Sequence, residues 1–450
     1  MSTPSLVDIA TRIAESAHNN EQVEAYVSRS TETEVEVFGG EVESLTTASA
    51  EGIGIRVIVD QRQGLAWAGS LDPDVIEETL KEARDNAAFG EPDEFYGFAA
   101  PADAGGLSAP DLDLWRDELT RVPTDEKVRI ALELERATLA LDNRVRIEAA
   151  SYGDTMSEAA LVNSLGIVAQ SRRTTCSASS VALADDGSGT QSGYGFAAGR
   201  ALDDLDLEQI PRDAVERSTR LLGAKPLATQ RLPVIFDPLV TRSVLGVLTS
   251  AFNGESMLKG RSLFMNRLGE VVAAPIVQLI DDPTDPRAFG ATQFDGDGLP
   301  TRRNDLIRDG VLQKFLHNVY TGRRSGSGTT GSATRGLGST PGVGVRAMRL
   351  EPGDLSPEQI MQSAGTAFYV QDVSGLHSGT NPISGDFSVG AGGLMVRDGV
   401  FAEPVKEVTI ASTLQRMLQD ITAIGNDLQF LPGAIAGQTV LIGEMNIAGN

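Results

Sequence analysis

The chain has 450 residues, 41% of them hydrophobic and 22% charged, an ordinary globular composition with room for two or three domains. Lys and Arg number 38 against 62 Asp and Glu, a net charge of −24, and the field of such a chain repels nucleic-acid phosphates and anionic membrane surfaces alike. One cysteine, Cys176, excludes a disulfide framework and any cysteine-rich zinc module, and three histidines (His18, His317, His377) leave little for an imidazole metal cage.

The opening MSTPSLVDIA carries no basic stretch ahead of an apolar one, so it is not read as a signal peptide, and Ser5 onward reads as an amphipathic helix. No apolar run reaches the ~18 residues that span a bilayer. The expectation is a cytoplasmic protein. Residues 22–69 alternate apolar and polar (Val23, Ala25, Val27; Val35, Val37; Ile53, Ile55, Val57, Val59), with turns expected at Gly39-Gly40, Glu51-Gly52 and 60–64. This predicts an antiparallel meander. A helix follows over 73–88, with Pro73 in its first turn. The Gly-, Pro- and Asp-rich stretch 89–123 reads as a linker, and a helix is expected over 124–142, N-capped by Thr124. Strands are predicted at 145–149, 159–163, 167–169 and 174–184, the last ending in a turn at 185–189, and then a helix near 206–222. The second half opens with a buried strand from Gln230 and a buried helix over about 238–252. Short strands and glycine-rich turns follow, with helices near 355–368 and 409–424. Strand runs set between helices, without strict βαβ alternation, give an α+β class: an α/β-meander N-terminal half and a β-rich C-terminal half. The expected division is 1–100, 101–228 and 229–450.

Each motif that could carry chemistry has a plainer reading. Gly326-Ser-Gly-Thr-Thr-Gly331 matches the dinucleotide fingerprint, but it lies in a Ser/Thr/Gly loop where a strand should precede and a helix follow. Ser256-Met-Leu-Lys259 matches the S-x-x-K of serine acyl-enzymes but lacks the companion motifs, and it reads as a helix end. Asp281-Asp282 and Asp295-Gly-Asp297-Gly298 offer carboxylates to a hard cation, yet without the further ligands of a calcium loop they read as turn chemistry. His317 reads as a packed, hydrogen-bonded residue and Cys176 as a small core hydrophobe. No zinc-hydrolase H-E-x-x-H is present. Residues 322–344 hold many glycines beside Arg323, Arg324, Arg335 and Arg346, a local positive cluster suited to carboxylates of a peptide or a partner. The glycines predict a loop that is mobile in the isolated chain and lies at a substrate chamber or a partner-facing surface.

Over almost its whole length the chain resembles the TldD/TldE (PmbA) family. The resemblance rests on ordered blocks: Gly52-Ile-Gly-Ile-Arg-Val-Ile-Val-Asp60 with Gly64-Leu-Ala-Trp-Ala, Asn163-Ser-Leu-Gly166, Arg172-Arg-Thr-Thr, and Gln191-Ser-Gly-Tyr-Gly-Phe-Ala-Ala. In the second half they continue through Gly260-Arg-Ser-Leu-Phe, Asp281-Asp-Pro, Gly298-Leu-Pro-Thr-Arg-Arg303 and Phe315-Leu-His-Asn-Val-Tyr. Thr330-Gly-Ser-Ala333, Asn381-Pro-Ile-Ser-Gly-Asp-Phe-Ser388, Pro404-Val-Lys-Glu-Val-Thr-Ile-Ala and Gly425-Asn-Asp-Leu close the series. In the family, the TldD type holds zinc through H-E-x-x-x-H on a helix and a late cysteine, and the TldE type lacks them. The matching stretches here read Leu245-Gly-Val-Leu-Thr-Ser-Ala-Phe and Leu431-Pro-Gly-Ala-Ile-Ala-Gly-Gln, so the zinc set carries over at no position and the resemblance implies a TldE-like chain. It further implies pairing with a TldD-like catalytic subunit that bears the zinc, in a cytoplasmic metallopeptidase acting on unfolded or peptide substrates, with roles such as maturation of a peptide antibiotic or degradation of an antitoxin. This chain would then have no catalytic or metal residue and no cofactor of its own. Arg323, Arg324, Thr330, Gly331, Arg335, Asn381 and Asp386 are the candidates for peptide or partner contact. Two alternatives stay open: a stand-alone homodimer that binds peptides without cutting them, and a hydrolase using Ser256 and Lys259.

Overall fold

The computed structural model describes residues 5–449 except Asn19 and Ser188. Part of the leader reading (residues 1–4) and Ser188 of the 185–189 turn therefore lie outside the described residues. The first half consists of α1 (Leu6–Ala14), β1 (Glu21–Phe38), β2 (Glu41–Val59), β3 (Arg62–Ala68) and α2 (Pro73–Phe89). After an irregular stretch come α3 (Thr124–Leu141), β4 (Val145–Asn163), β5 (Val168–Asp185), β6 (Thr190–Gly199) and α4 (Gln209–Thr219). The six strands form one antiparallel sheet in the order β3-β2-β1-β4-β5-β6. The order is symmetric about β1 and β4, because the helix–three strands–helix pattern occurs twice and the two copies meet edge to edge. Gly64 of β3 and Gly193 of β6 hold matching places. A Cβ on either would stand 2.1 Å from a backbone oxygen of the covering helix, Ala83 of α2 and Ala214 of α4. The sheet thus crosses the expected boundary at residue 100.

Period-two alternation buries one face under the helices. Val23, Ala25, Val27, Ile53, Ile55 and Val57 meet Ile9, Ile13, Ile76, Leu80 and Ala83 there. Cys176 joins the core under α3, as a small hydrophobe would. A buried Lys127–Asp154 pair at 2.6 Å lies on this face too. Glu135 of α3 accepts the amides of Gly39 and Gly40 at 2.7 and 2.8 Å, which pins the β1–β2 turn.

Several elements differ from expectation. No turn occurs at Glu51-Gly52, because β2 runs unbroken through it. Gly52 and Gly54 are glycines because residue 337 approaches them: a Cβ on Gly54 would stand 2.1 Å from the Leu337 carbonyl oxygen. Two of the strands expected between 145 and 163 are one, β4, and those at 167–184 are one, β5. The N-cap of α3 is Pro123, one residue before Thr124. The 89–123 stretch packs rather than floats, with Phe98, Leu114 and Leu119 at most 5% exposed.

The second half contains β7 (Gln230–Phe236), α5 (Pro238–Leu248), α6 (Gly254–Leu258), β8 (Leu279–Asp281), β9 (Asn304–Arg308), β10 (Val311–Leu312) and α7 (Val319–Ser325). It continues with β11 (Ala333–Thr334), β12 (Gly342–Val343), β13 (Met348–Leu350), α8 (Pro357–Ala364), β14 (Ala367–Ser374), α9 (Leu376–Gly379) and β15 (Asp386–Arg397). Last come β16 (Val400–Thr413), α10 (Leu414–Gln419), β17 (Ile421–Ile424) and β18 (Val440–Ala448). The main sheet runs β16-β15-β14-β7-β18-β17, and a further β16–β18 pairing closes five of these strands on themselves. The helix expected at 409–424 is mostly strand. Ile410, Leu414, Met417, Leu418 and Ile421 all enter one core, so their helix-like spacing spans the end of β16, one short helix and the start of β17. The fold is α+β, as its sequence predicts. No helix among the described residues is long and apolar enough to cross a membrane.

Candidate functional site

The face of the six-stranded sheet turned away from its helices is covered at one end by the second half of the chain. Glu24 of β1 sits on that face, where alternation alone would leave it in water, and it is 0% exposed. Its Oε1 accepts from Arg56 of β2 at 3.0 Å and from Arg335 of the 322–344 segment at 2.6 Å. Arg56 also donates to Gln63 at 2.8 Å and lies 4.9 Å from the Phe98 ring, while Arg335 lies 5.0 Å from the Tyr26 ring. A buried charge is tolerated only with partners, and here one carboxylate serves two guanidinium groups. Asp297, also buried, holds the Val319 amide at the start of α7 at 2.8 Å and is a close charge neighbour of Arg56. Burial raises its pKa. Asp295 accepts amides from Asp297, Leu299 and Ala333 at 2.9 to 3.1 Å, yet burial, reinforced by the Asp297 carboxylate, pushes it up to about 7. The turn reading of these aspartates is right about their local bonds. It misses that both are buried beside the cluster.

Two cavities flank the cluster. Arg56 and Asp297 line one of about 410 Å³, together with Tyr96, Tyr320, Lys259 and Arg324. Arg335 and Asp295 line another of about 350 Å³, which also borders β1, β4 and β5.

The structure gathers some of the candidate residues and separates others. Arg335 is the centre of the cluster. Arg323 ties α7 to the first half through the carbonyls of Gly97 and Phe98, both at 2.9 Å, and through Asp103 at 3.2 Å. Arg324 is exposed at the mouth of the larger cavity and donates to the Tyr320 hydroxyl at 2.9 Å. Thr330 is held by the His317 backbone: its hydroxyl accepts the His317 amide at 2.7 Å. Gly331 sits at φ +70° with its Cα close to the Pro300 carbonyl. Asn381 and Asp386 lie elsewhere, in a turn closed by its own bonds, where the Asn381 side chain accepts the Ile383 and Ser384 amides and Ser384 donates to Asp386 at 2.6 Å. They line neither cavity.

Of the eight glycines of 322–344, four (Gly322, Gly331, Gly338 and Gly344) stand where a Cβ would meet a neighbour at 3.1 Å or less. Gly322 lies against the Gly328 backbone, and Gly338 lies against the Trp67 ring. The glycine fingerprint terminates a helix instead of opening one, with Gly326 left-handed at the C-cap of α7. That geometry offers no dinucleotide cradle. Lys259 is paired with Glu255 at 2.5 Å, and the Ser256 amide is taken up by the Asn253 side chain at 3.1 Å. His317 is buried, its Nδ1 3.2 Å from the Thr321 hydroxyl, and burial pulls its pKa down to about 4. Sequence reasoning missed Glu24 and Arg56. Each alternates with core residues on its own strand, and only the covering half makes them interior.

The stretches 245–252 and 431–438, which the resemblance matches to the family's metal elements, meet at Gly246 and Ile435. Pro238, Arg242 and Gly246, one stripe of α5 at four-residue spacing, face residues 432–437. Arg242 donates to the Pro432 carbonyl at 2.7 Å, a Cβ on Gly437 would stand 1.9 Å from the Pro238 oxygen, and one on Gly246 would lie 3.6 Å from Ile435 Cδ1.

Three family models match in chain order: "PmbA/TldA metallopeptidase domain 1" over 23–87, the "central domain" over 117–222 and the "C-terminal domain" over 229–449. The metalloprotease PmbA of Escherichia coli O157:H7 is 31% identical over 98% of this chain and 95% of its own. The chain belongs to the PmbA/TldD metallopeptidase family. A metalloprotease of Methanothermobacter thermautotrophicus is 29% identical over 75% of this chain and 76% of its own. Among solved structures, a Thermotoga maritima protein described as a suspected modulator of a DNA gyrase aligns with a TM-score of 0.90 at 25% identity, over 99% of this chain and 100% of that one. TldE of Thermococcus kodakarensis aligns with a TM-score of 0.89 at 24% identity over 99% of each, which speaks for the fold alone.

A PmbA/TldD metallopeptidase implies a metal, and the donors can be tested. The stretches 245–252 and 431–438 contain no His, Cys, Asp or Glu, the side chains that bind zinc. Among the described residues, no group of three or more His, Cys, Asp or Glu side chains is arranged to hold a metal ion. The residues present do not fit the group.

Proposed function

We propose that this chain is a TldE-type subunit without a zinc centre, which completes a cytoplasmic metallopeptidase with a TldD-like partner carrying the zinc and acts on unfolded or peptide chains. The reading is supported by the stretches 245–252 and 431–438, which meet at Gly246 and Ile435 and contain no His, Cys, Asp or Glu. The seam between the two halves, with its buried cluster and two cavities, is the part of the molecule equipped to meet a polar chain.

Co-expression with a TldD-type chain bearing H-E-x-x-x-H tests the proposal. The two should co-elute, and an unfolded protein substrate should be cleaved by the pair and not by this chain alone, even with added zinc. Zinc-dependent cleavage by this chain alone would overturn the reading. A homodimer that takes up peptide and ignores the partner would replace it with the stand-alone binding protein.

A further inference from the structure

The smaller cavity carries an excess of positive charge. Arg29, Arg173, Arg335 and Arg346 line it, with Glu158 and Asp295 as the acids. Arg29 is paired with Glu51 at 3.2 Å, and Glu158 stands opposite Arg29 on β1 and Arg172 on β5. Asp295 is held toward its neutral form by burial. Three guanidinium groups remain. Arg173 of β5 spends its hydrogen bond on the Ala291 carbonyl at 3.0 Å, and Arg346 spends one on the Ala333 carbonyl at 2.8 Å. Among the described residues neither has a carboxylate within ion-pairing distance of its side chain, although the buried Asp281 carboxylate accepts the Arg346 backbone amide at 2.8 Å, and Arg173's pKa is lowered by burial and then by Arg346. Arg335, its side chain 2% exposed, gives one nitrogen to Glu24 and leaves Nε and Nη2 without a hydrogen-bond partner; Nε of Arg346 is equally bare. Buried donors are ordinarily satisfied, and each bare one costs free energy. Like charges held together without a counter-charge make a site for an anion, and planar guanidinium groups match a carboxylate in two-point geometry.

We propose that this cavity binds a carboxylate, and that its source is a peptide, either an acidic side chain or the C-terminal carboxylate. The peptide as source rests on the function proposed above; the carboxylate does not. The wall of the cavity is sheet face, with Ser157, Ala159 and Ser171 giving a small floor beside Arg173. A bound carboxylate would lie between Arg173 and Arg346 and offset their two charges. No bond is made or broken.

Calorimetric titration of the purified chain tests this, with three probes: an acetylated hexapeptide ending in Glu, the same hexapeptide with Gln and a C-terminal amide, and succinate. The acidic peptide should bind about tenfold or more tightly than the neutral one, and Arg173→Gln should remove most of the difference. Because Arg173 also holds a backbone carbonyl, a second variant guards the test. Ser157→Asp sets a carboxylate beside Arg173, its cross-strand partner, and should raise the thermal midpoint while abolishing binding of the acidic probes. Succinate binding without peptide binding would keep the carboxylate site and remove the peptide as source. Equal binding of acidic and neutral peptides would overturn the carboxylate site and leave the peptide-handling function standing. A Ser157→Asp variant that is folded, no more stable and still binds the acidic peptide would also overturn the site.

Discussion

The junction of α5 with 432–437 and the seam beneath β1 are built by opposite rules. At the first, a helix and a loop meet through Gly246, Ile435 and one arginine-to-carbonyl bond, and packing accounts for the contact. At the second, Glu24, Arg56, Arg335, Asp295 and Asp297 are taken out of water together, Glu24 held by two guanidinium groups and the aspartates by backbone amides. In this chain the buried charges are gathered at the second place. A contact made by packing can absorb a change at one residue, whereas a buried carboxylate shared by two guanidinium groups cannot.

Breaking the seam should cost far more than altering the junction. Glu24→Ala leaves two buried guanidinium groups without their shared carboxylate, and about 3–5 kcal/mol should be lost in urea unfolding. Gly54→Ala forces the Leu337 carbonyl off β2, since its Cβ would stand 2.1 Å from that oxygen, and should cost about 1–3 kcal/mol. Limited proteolysis of that variant should open first within 326–344.

The seam should also carry a pH dependence that the junction lacks. Asp295 is raised to about 7 in the folded chain from 3.8, so its contribution favours folding below 3.8 and is lost as pH rises through 7. Asp295→Asn keeps the oxygen that takes the Asp297 and Leu299 amides, and should flatten the fall in stability between pH 4 and 7. The smallest effect is expected at the junction. Gly246→Ala adds a Cβ that meets only Ile435 at an ordinary 3.6 Å, and in mid-helix it should stabilise the chain by about 0.5–1 kcal/mol, read as a higher urea midpoint.

Local pattern sufficed for much of the first half. The Gly39-Gly40 turn, α2 and the buried α5 were all legible, because alternation, a proline in the first turn and an all-apolar run each report on their own segment. What was not legible depends on distant partners. Gly52 and Gly54 look like turn residues in sequence and are strand residues that make room for Leu337. The near-symmetry of the first half, two helix–strand–helix units meeting at β1 and β4, left no repeat that the sequence reading detected. Arg335 was marked as one of several loop arginines. Its carboxylate, 311 positions away in β1, looked like an exposed residue between two core ones.

The most direct test of the account is the metal content of the chain itself. Elemental analysis after expression in zinc-supplemented medium and exhaustive dialysis should find no stoichiometric zinc, because the meeting point of α5 and 432–437 offers no donor and the cluster beneath β1 is filled by its own guanidinium groups. About one tightly held zinc per chain, lost on His317→Ala or His377→Ala, would contradict it.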